Sequence, residues 1–103
     1  MASVEDQLQE VSGKITAAAT AVNGDAGASP VLIAVVREFE AKAGKAVHVA
    51  AKGPERAREA VVELEQAGDS AKAAAEADSG ATDGTKQAVL DAHLSICMLK
   101  GNT

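Results

Sequence analysis

Two side chains with chemical potential stand four positions apart near the end of the chain. His93 and Cys97 share one face of an expected helix, a spacing that could hold a metal ion or pair a thiol with a base. Two ligands are too few for a zinc site, and neither a second cysteine nor a nearby histidine completes the set. The sequence therefore favours a partly buried histidine beside a cysteine that packs as a small apolar residue. The sequence predicts neither a bound metal nor a cofactor. A small enzyme or metal protein that uses His93 and Cys97 is a distant alternative.

Other polar residues give weaker indications of chemistry. Glu55, Glu59 and Glu63 recur at intervals of four, and carboxylates so spaced can line a di-metal site in a helical bundle. Such sites also use Glu-x-x-His pairs, which this chain lacks, so we interpret the three as a solvated acidic face. His48 lies among lysines and is expected to be solvated. Because no phosphate loop, nucleophile elbow or His-Glu-x-x-His motif is present, the sequence predicts a protein that is not an enzyme and has no evident small-molecule substrate.

The charged residues divide the chain into a basic and an acidic segment. A net charge of −5 argues against nucleic acid as a partner, since phosphate contacts need a basic surface. Basic side chains nevertheless predominate between Ala41 and Arg58, and acidic ones predominate from Glu59 onward. We call the first group the basic elbow, and it consists of Lys42, Lys45, Lys52, Arg56 and Arg58. Two interpretations stay open: both segments are solvated surface, or they set the register of a dimer or dock a partner.

The element that must position these groups is a helix beginning after Ser29, which can cap it, with Pro30 suited to the first helical position. Apolar residues at alternating spacings of four and three predict two further long helices, and a shorter stripe predicts a fourth. The expected helices span about 3–23, 30–52, 54–78 and 84–100. A strand over Val31–Val36 is the less favoured alternative, because no partner strand is evident. A flexible loop is expected from Asp78 to Thr85.

These helices predict a single all-α domain over residues 1–103, an antiparallel bundle of four helices or of three with a loosely attached fourth. The first helix has the most regular heptad pattern, which favours coiled-coil-like packing. The second half of the third helix has no large apolar residue, so we expect it to fray unless another segment covers it.

The hydrophobic content suggests that the chain buries more surface by association. Hydrophobic residues make up 47% of the sequence, but alanine supplies half of them, so the core is thin. The apolar face of the last helix is wide, and Leu90, Leu94 and Met98 extend it beyond what a surface helix needs. The sequence predicts an interaction protein that forms a homodimer or binds another helical protein. The alternative is a small adaptor that docks one protein through the basic elbow.

The acidic N-terminus lacks the features of a secretory signal, and no run of eighteen apolar residues occurs, so membrane insertion is not expected. The expected location is the cytoplasm, or outside the cell by a signal-less route.

The Ala-rich acidic composition and the opening helix–turn–helix, SVEDQLQEVSGKITAAATAVN followed by SPVLIAVVREFE, resemble small helical proteins of actinobacteria. The best known are the Trp-X-Gly, early-secreted-antigen-like hairpins, and the resemblance implies a dimer exported by a specialised system. This chain has no Trp and no Tyr, so the turn motif and export signal of that family are absent and no functional residue is carried over.

Overall fold

The computed structural model describes residues 3–101, and these form four helices. The helices are α1 (Val4–Asn23), α2 (Pro30–Ala50), α3 (Pro54–Ala77) and α4 (Asp83–Gly101). No strand occurs between residues 3 and 101, and Val31–Val36 lies within α2. The all-α bundle predicted from the apolar periodicity is therefore confirmed. None of these four helices combines the length and apolar character needed to cross a membrane.

Local sequence signals explain where the helices start. The Ser3 hydroxyl accepts a hydrogen bond from the Asp6 N–H at 3.1 Å, and the Ser29 hydroxyl accepts one from the Leu32 N–H at 3.2 Å. Each serine thus satisfies an N–H that the first turn of a helix leaves free. At the start of α3, Gly53 has φ 134°, a conformation that favours glycine, and Pro54 follows as the first helical residue. α2 ends at Ala50, two residues before the expected end.

The helices form a closed ring of neighbours. α1 packs against α2 and α4, and α3 packs against the same two helices. The described chain measures 40 × 21 × 18 Å, so the helices lie along the long dimension. Val89, Ala92 and Ile96 of α4 are completely buried. The fourth helix is therefore an integral part of the bundle, and the alternative with a loosely attached fourth helix is wrong.

The second half of α3 stays helical because other helices cover it. Gly68, Ala71 and Ala75 are buried along this half. A Cβ added at Gly68 would lie 3.1 Å from Cζ of Phe39 on α2 and 3.3 Å from Cγ2 of Ile96 on α4. Large side chains from neighbouring helices thus fill the space that small residues on α3 leave open, and they provide the cover that the sequence analysis requires for this half to stay helical.

The two halves of the chain repeat one pattern. When residue n is matched with residue n + 53, core positions on α1 and α2 coincide with core positions on α3 and α4. The matched buried pairs are Leu8 and Val61, Val11 and Leu64, Ile15 and Gly68, Ala18 and Ala71, Val22 and Ala75, Leu32 and Thr85, Val36 and Val89, Phe39 and Ala92, Ala43 and Ile96, and Ala46 and Leu99. The bundle therefore consists of two similar helical hairpins, α1–α2 and α3–α4.

The clearest repeated segment lies in the hairpin turns. The turn between α1 and α2 contains Asp-Ala-Gly-Ala-Ser (25–29), and the turn between α3 and α4 contains Asp-Ser-Gly-Ala-Thr (78–82). Both turns lie at the same end of the bundle and contact each other. We call the two segments together the turn clasp.

Each aspartate of the turn clasp bonds its own turn and the opposite turn. Asp25 accepts from the Gly27 N–H at 2.9 Å and from the Thr82 N–H at 2.8 Å. Asp78 accepts from the Gly80 N–H at 2.9 Å and from the Ser29 N–H at 2.8 Å. The two hairpins are thus joined by a reciprocal pair of carboxylate bonds to backbone N–H groups.

The loop expected from Asp78 to Thr85 is shorter than the sequence analysis predicts. The Asp78 residue is only 7% exposed, and its carboxylate also accepts from the Ala81 N–H at 3.1 Å. α4 already begins at Asp83, where the Thr82 hydroxyl accepts from the Thr85 N–H at 3.3 Å. The glycine and serine that indicate flexibility in the sequence instead allow a tight turn whose backbone groups are hydrogen-bonded.

Candidate functional site

Three side chains that could hold a metal ion meet on the surface between α3 and α4. Nε2 of His93 lies 2.7 Å from Oδ1 of Asp69 and 3.5 Å from Sγ of Cys97. One ligand atom from each residue falls within 4.8 Å of the others. The His93 side chain is 15% exposed and that of Asp69 is 62% exposed, so the group opens to solvent on the aspartate side. We call these three residues the Asp–His–Cys cluster.

Asp69 is the member of this cluster that the sequence analysis missed. His93 and Cys97 are visible as a pair because four residues bring them to one face of α4. Asp69 is on another helix, 24 positions earlier, and only the pairing of α3 with α4 brings it to His93. No local spacing links Asp69 to His93, because the contact joins two different helices.

The backbone of α3 makes room for the His93 ring. A Cβ built on Gly68, the residue before Asp69, would lie 3.3 Å from Cδ2 of His93. That separation is tight, so a larger residue would push the ring away from its present place. The glycine therefore lets the imidazole lie close against α3, where it reaches the Asp69 carboxylate.

The cluster is not arranged as an activated thiol nucleophile. Burial raises the pKa of the Cys97 thiol above its ordinary value, and the negative charges of Glu65 and Asp69 raise it further. A cysteine nucleophile needs a lowered pKa, because the thiolate is the reactive form. In addition, Sγ of Cys97 lies 3.5 Å from Nε2 and 3.9 Å from Nδ1 of His93, so neither ring nitrogen is aimed at the thiol as the base of a catalytic triad is.

A second feature of α4 is an exposed apolar strip. Leu94 is 57% exposed and Met98 is 62% exposed, although α4 buries its opposite face completely. Leu90, one helical turn earlier, is partly buried. The structure thus brings together the three apolar residues of α4 that the sequence analysis selected. We call Leu90, Leu94 and Met98 the α4 strip.

The basic elbow divides into a paired and an unpaired part. Nζ of Lys42 and Nζ of Lys45 lie 3.9 Å and 3.8 Å from the carboxylate of Glu63 on α3. Lys52, Arg56 and Arg58 form no ion pair with any residue between 3 and 101. Intramolecular pairing therefore accounts for two of the five basic residues. The other three are exposed, Lys52 in the turn between α2 and α3 and Arg56 and Arg58 near the start of α3.

The three glutamates that the sequence analysis weighed as a di-metal site lie on the surface and not in the bundle interior. Glu55, Glu59 and Glu63 are all exposed on α3, and Glu63 contacts the two lysines of α2. His48 is exposed on α2. These four residues are solvated, as the sequence analysis expects.

A cleft opens at the end of the bundle opposite the turn clasp. It has a volume of about 430 Å³ and lies between the start of α1 and the turn that joins α2 to α3. Val4, Ala50 and Ala57 contribute apolar surface, and Arg58 of the basic elbow lies at its margin. Arg58 is therefore next to a concave surface, which Glu5 of α1 also lines, whereas Lys52 and Arg56 do not line it.

Comparisons of this chain with protein-family models, with curated proteins and with solved structures found no match in any of the three. The functional argument accordingly rests on the residues and geometry described above.

Proposed function

We propose that this chain is a non-enzymatic helical interaction protein that self-associates through the α4 strip. The observation that carries the proposal is the exposure of Leu94 and Met98 on a helix whose other face is already fully buried. Core packing does not require these two large apolar residues, since Val89, Ala92 and Ile96 provide the contacts with the rest of the bundle. An apolar surface free of a packing role is available to a partner.

A second copy of the chain is the partner that this strip fits best. In a two-fold dimer each residue of the strip is buried twice, once in each copy. Burying a Leu or Met side chain contributes about 1.5–3 kcal/mol, whereas an exposed ion pair contributes only about 0–1 kcal/mol. Apolar burial therefore supplies the affinity. The unpaired charges of Lys52, Arg56 and Arg58 select the orientation.

Sedimentation at micromolar concentration tests this proposal directly. We expect the wild type to sediment as a dimer and the Leu94→Asp variant to sediment as a monomer, because the new carboxylate would be buried without a partner. The matched control is Val31→Asp, since Val31 is 65% exposed but lies on α2. Val31 is also in the first turn of its helix, where a negative charge is favourable, so this control should stay folded and dimeric. Helicity measured by circular dichroism should be equal in all three proteins.

A wild-type chain that sediments as a folded monomer at low and at high salt would overturn self-association. In that case a second candidate, an adaptor that docks one protein through the basic elbow, would be favoured. The cleft beside Arg58 supports this candidate, because a concave surface next to an unpaired arginine suits an acidic segment of a partner. Replacing Lys52 and Arg56 by Glu should then weaken capture of that partner, most strongly at low salt.

A further inference from the structure

We infer that the Asp–His–Cys cluster is a binding site for a divalent transition metal, and that zinc is the ion it fits best. This inference goes beyond the proposed self-association and does not depend on it. The sequence argument against a metal counted only two ligands, His93 and Cys97. The structure adds Asp69 from α3 as a third, so that argument no longer applies.

The donor set selects the class of metal. One imidazole nitrogen, one thiol sulfur and one carboxylate oxygen form the mixed set that zinc accepts. Calcium and magnesium prefer oxygen ligands throughout, and an iron–sulfur cluster needs four ligands that are mainly thiolates. When the metal binds, the Cys97 thiol releases its proton to solvent, and the resulting thiolate together with the Asp69 carboxylate balances the charge of a divalent ion.

The donor atoms lie close enough together to reach one zinc ion after side-chain movements. Zn–N and Zn–S bonds of about 2.0 and 2.3 Å at a tetrahedral angle place the two donor atoms about 3.5 Å apart. Nε2 of His93 and Sγ of Cys97 are separated by 3.5 Å. Sγ also lies 3.9 Å from Nδ1, so the sulfur is beside the imidazole ring rather than in line with Nε2, and the Cys97 side chain or the ring must turn for both donors to reach one ion. The 2.7 Å from Nε2 to Oδ1 of Asp69 is a hydrogen-bond distance and must lengthen to about 3.3 Å when a metal enters. The Asp69 side chain is 62% exposed, so it can make that movement without disturbing the core.

The fold does not need these three residues for its own packing. The corresponding positions of the first hairpin are occupied by Thr16, Glu40 and Gly44, which offer no comparable ligand set. Because both hairpins have the same helices and the same matched core positions, the first hairpin shows that this architecture forms without the cluster. The three potential ligands in the second hairpin are therefore not required to form a helical hairpin of this kind.

Neighbouring contacts hold the two helices in register at the cluster. Nζ of Lys100, one turn beyond Cys97, lies 2.7 Å from the carboxylate of Glu65, one turn before Asp69. The small volume of Gly68 keeps the imidazole against α3. Three protein ligands leave one tetrahedral position for water or for an external donor.

Cobalt titration of the purified, reduced full-length chain tests the inference, because Co²⁺ replaces zinc and reports its ligands by absorption. We expect one Co²⁺ per chain, with visible bands of tetrahedral cobalt and a near-ultraviolet band from charge transfer by the thiolate. Zinc should displace the cobalt. Outer-shell partners of a metal typically change its affinity by about 10- to 100-fold, so removing a direct ligand by His93→Gln, Cys97→Ser or Asp69→Asn should weaken zinc binding by at least about tenfold.

Matched controls separate this site from weak surface binding. His48→Gln removes the other histidine, and Asp91→Asn removes an exposed carboxylate from α4, so both variants should bind cobalt like the wild type. Asp69 is exposed, so Asp69→Asn should keep its fold and stay informative even if a variant of a more buried ligand unfolds. Absence of the charge-transfer band in the wild type, or zinc affinity unchanged in Cys97→Ser and Asp69→Asn, would overturn the inference.

Discussion

The two hairpins of this bundle have the same helices and the same core positions, but they differ in the size of the side chains at those positions. In α1–α2 the matched core positions hold large residues such as Ile15 and Phe39, and in α3–α4 the same positions hold Gly68 and Ala92. The balance reverses further along, where Ala43 of the first hairpin matches Ile96 of the second. Large and small residues therefore exchange places between the hairpins, and Phe39 of the first hairpin fills the space beside Gly68 of the second.

The turns behave differently from the core. Both keep the aspartate, the glycine two residues later and the hydroxyl residue four residues later. A core position can exchange volume with a neighbour, whereas a backbone N–H can be satisfied only by an acceptor at one place. This difference explains why the turn clasp is repeated closely while the core is not.

The largest effect is expected at the position where the hairpins differ most. Phe39→Ala should lower the free energy of unfolding by about 3–5 kcal/mol, because Gly68 opposite it cannot fill the cavity. Urea unfolding followed by circular dichroism measures this loss. Val36 and Val89 provide the control, since they are matched valines that are both fully buried. Val36→Ala and Val89→Ala should cost similar amounts, about 2 kcal/mol each. A large difference between the two valines would contradict the equivalence of the hairpins.

The next effect concerns the close approach of the two turns. A Cβ on Gly27 would collide with the carbonyl group of Gly80, and a Cβ on Gly80 would collide with that of Gly27. Both contacts involve backbone, which cannot rotate away, so each glycine-to-alanine change should destabilise the bundle by about 2 kcal/mol or more. Gly84→Ala is the control, because a Cβ at Gly84 meets no atom within 4 Å. Thermal unfolding that is equal for Gly27→Ala and Gly84→Ala would show that the turns are not in contact in solution.

These two regions also show what the sequence could and could not reveal. The helices were predictable because stripes such as Leu32, Val36 and Phe39 are local patterns, readable without knowing their partners. The cover over the second half of α3 was not predictable from that helix alone, since it is provided by Phe39 and Ile96 on other helices. Asp69 was missed for the same reason.

The turn clasp is an intermediate case. The repeated Asp-x-Gly-Ala-Ser/Thr segment is plainly present in the sequence, but glycine and aspartate in one turn alone indicate a flexible loop. Comparison of the two copies indicates that they have the same structural role. The contact between the copies shows that this role is to join the two hairpins by hydrogen bonds.

The turn clasp should also make stability depend on pH. The Thr82 N–H, the Thr85 hydroxyl and the Gly27 N–H lower the pKa of Asp25 from 3.8 to about 2, and the Ser29 N–H is the main cause of the lowered pKa of Asp78. A carboxyl group with a lowered folded pKa stabilises the fold above its unfolded value and loses that contribution as pH falls through the folded value. Stability should therefore decrease between about pH 4 and pH 2.

Equilibrium unfolding across this pH range, with Asp25→Asn and Asp78→Asn, tests the assignment. Each variant should be less stable at neutral pH and should show a shallower loss towards pH 2 than the wild type. Asp91→Asn serves as the control, because Asp91 accepts from the exposed Gln87 side chain rather than from backbone N–H groups. A profile as steep in Asp25→Asn as in the wild type would assign the acid sensitivity to other groups.

The smallest effect separates two glycines inside helices, one from each hairpin. Gly44 in α2 has open space where a Cβ would be, so Gly44→Ala should stabilise the protein by about 1 kcal/mol through helix propensity alone. Replacing Gly68 in α3 by alanine would bring the same gain in helix propensity. The added Cβ, however, would lie 3.1 Å from Phe39 and 3.3 Å from both His93 and Ile96. Crowding at three neighbours in a packed interior should cancel the gain, so Gly68→Ala should be neutral or destabilising. Combining Gly68→Ala with Phe39→Leu, which shortens the closest neighbour, should reduce the cost of Phe39→Leu measured alone. If Gly68→Ala stabilised the bundle as much as Gly44→Ala, the packing around Gly68 would have room for a methyl group. The close packing of Phe39 and of the His93 ring against α3 would then be contradicted.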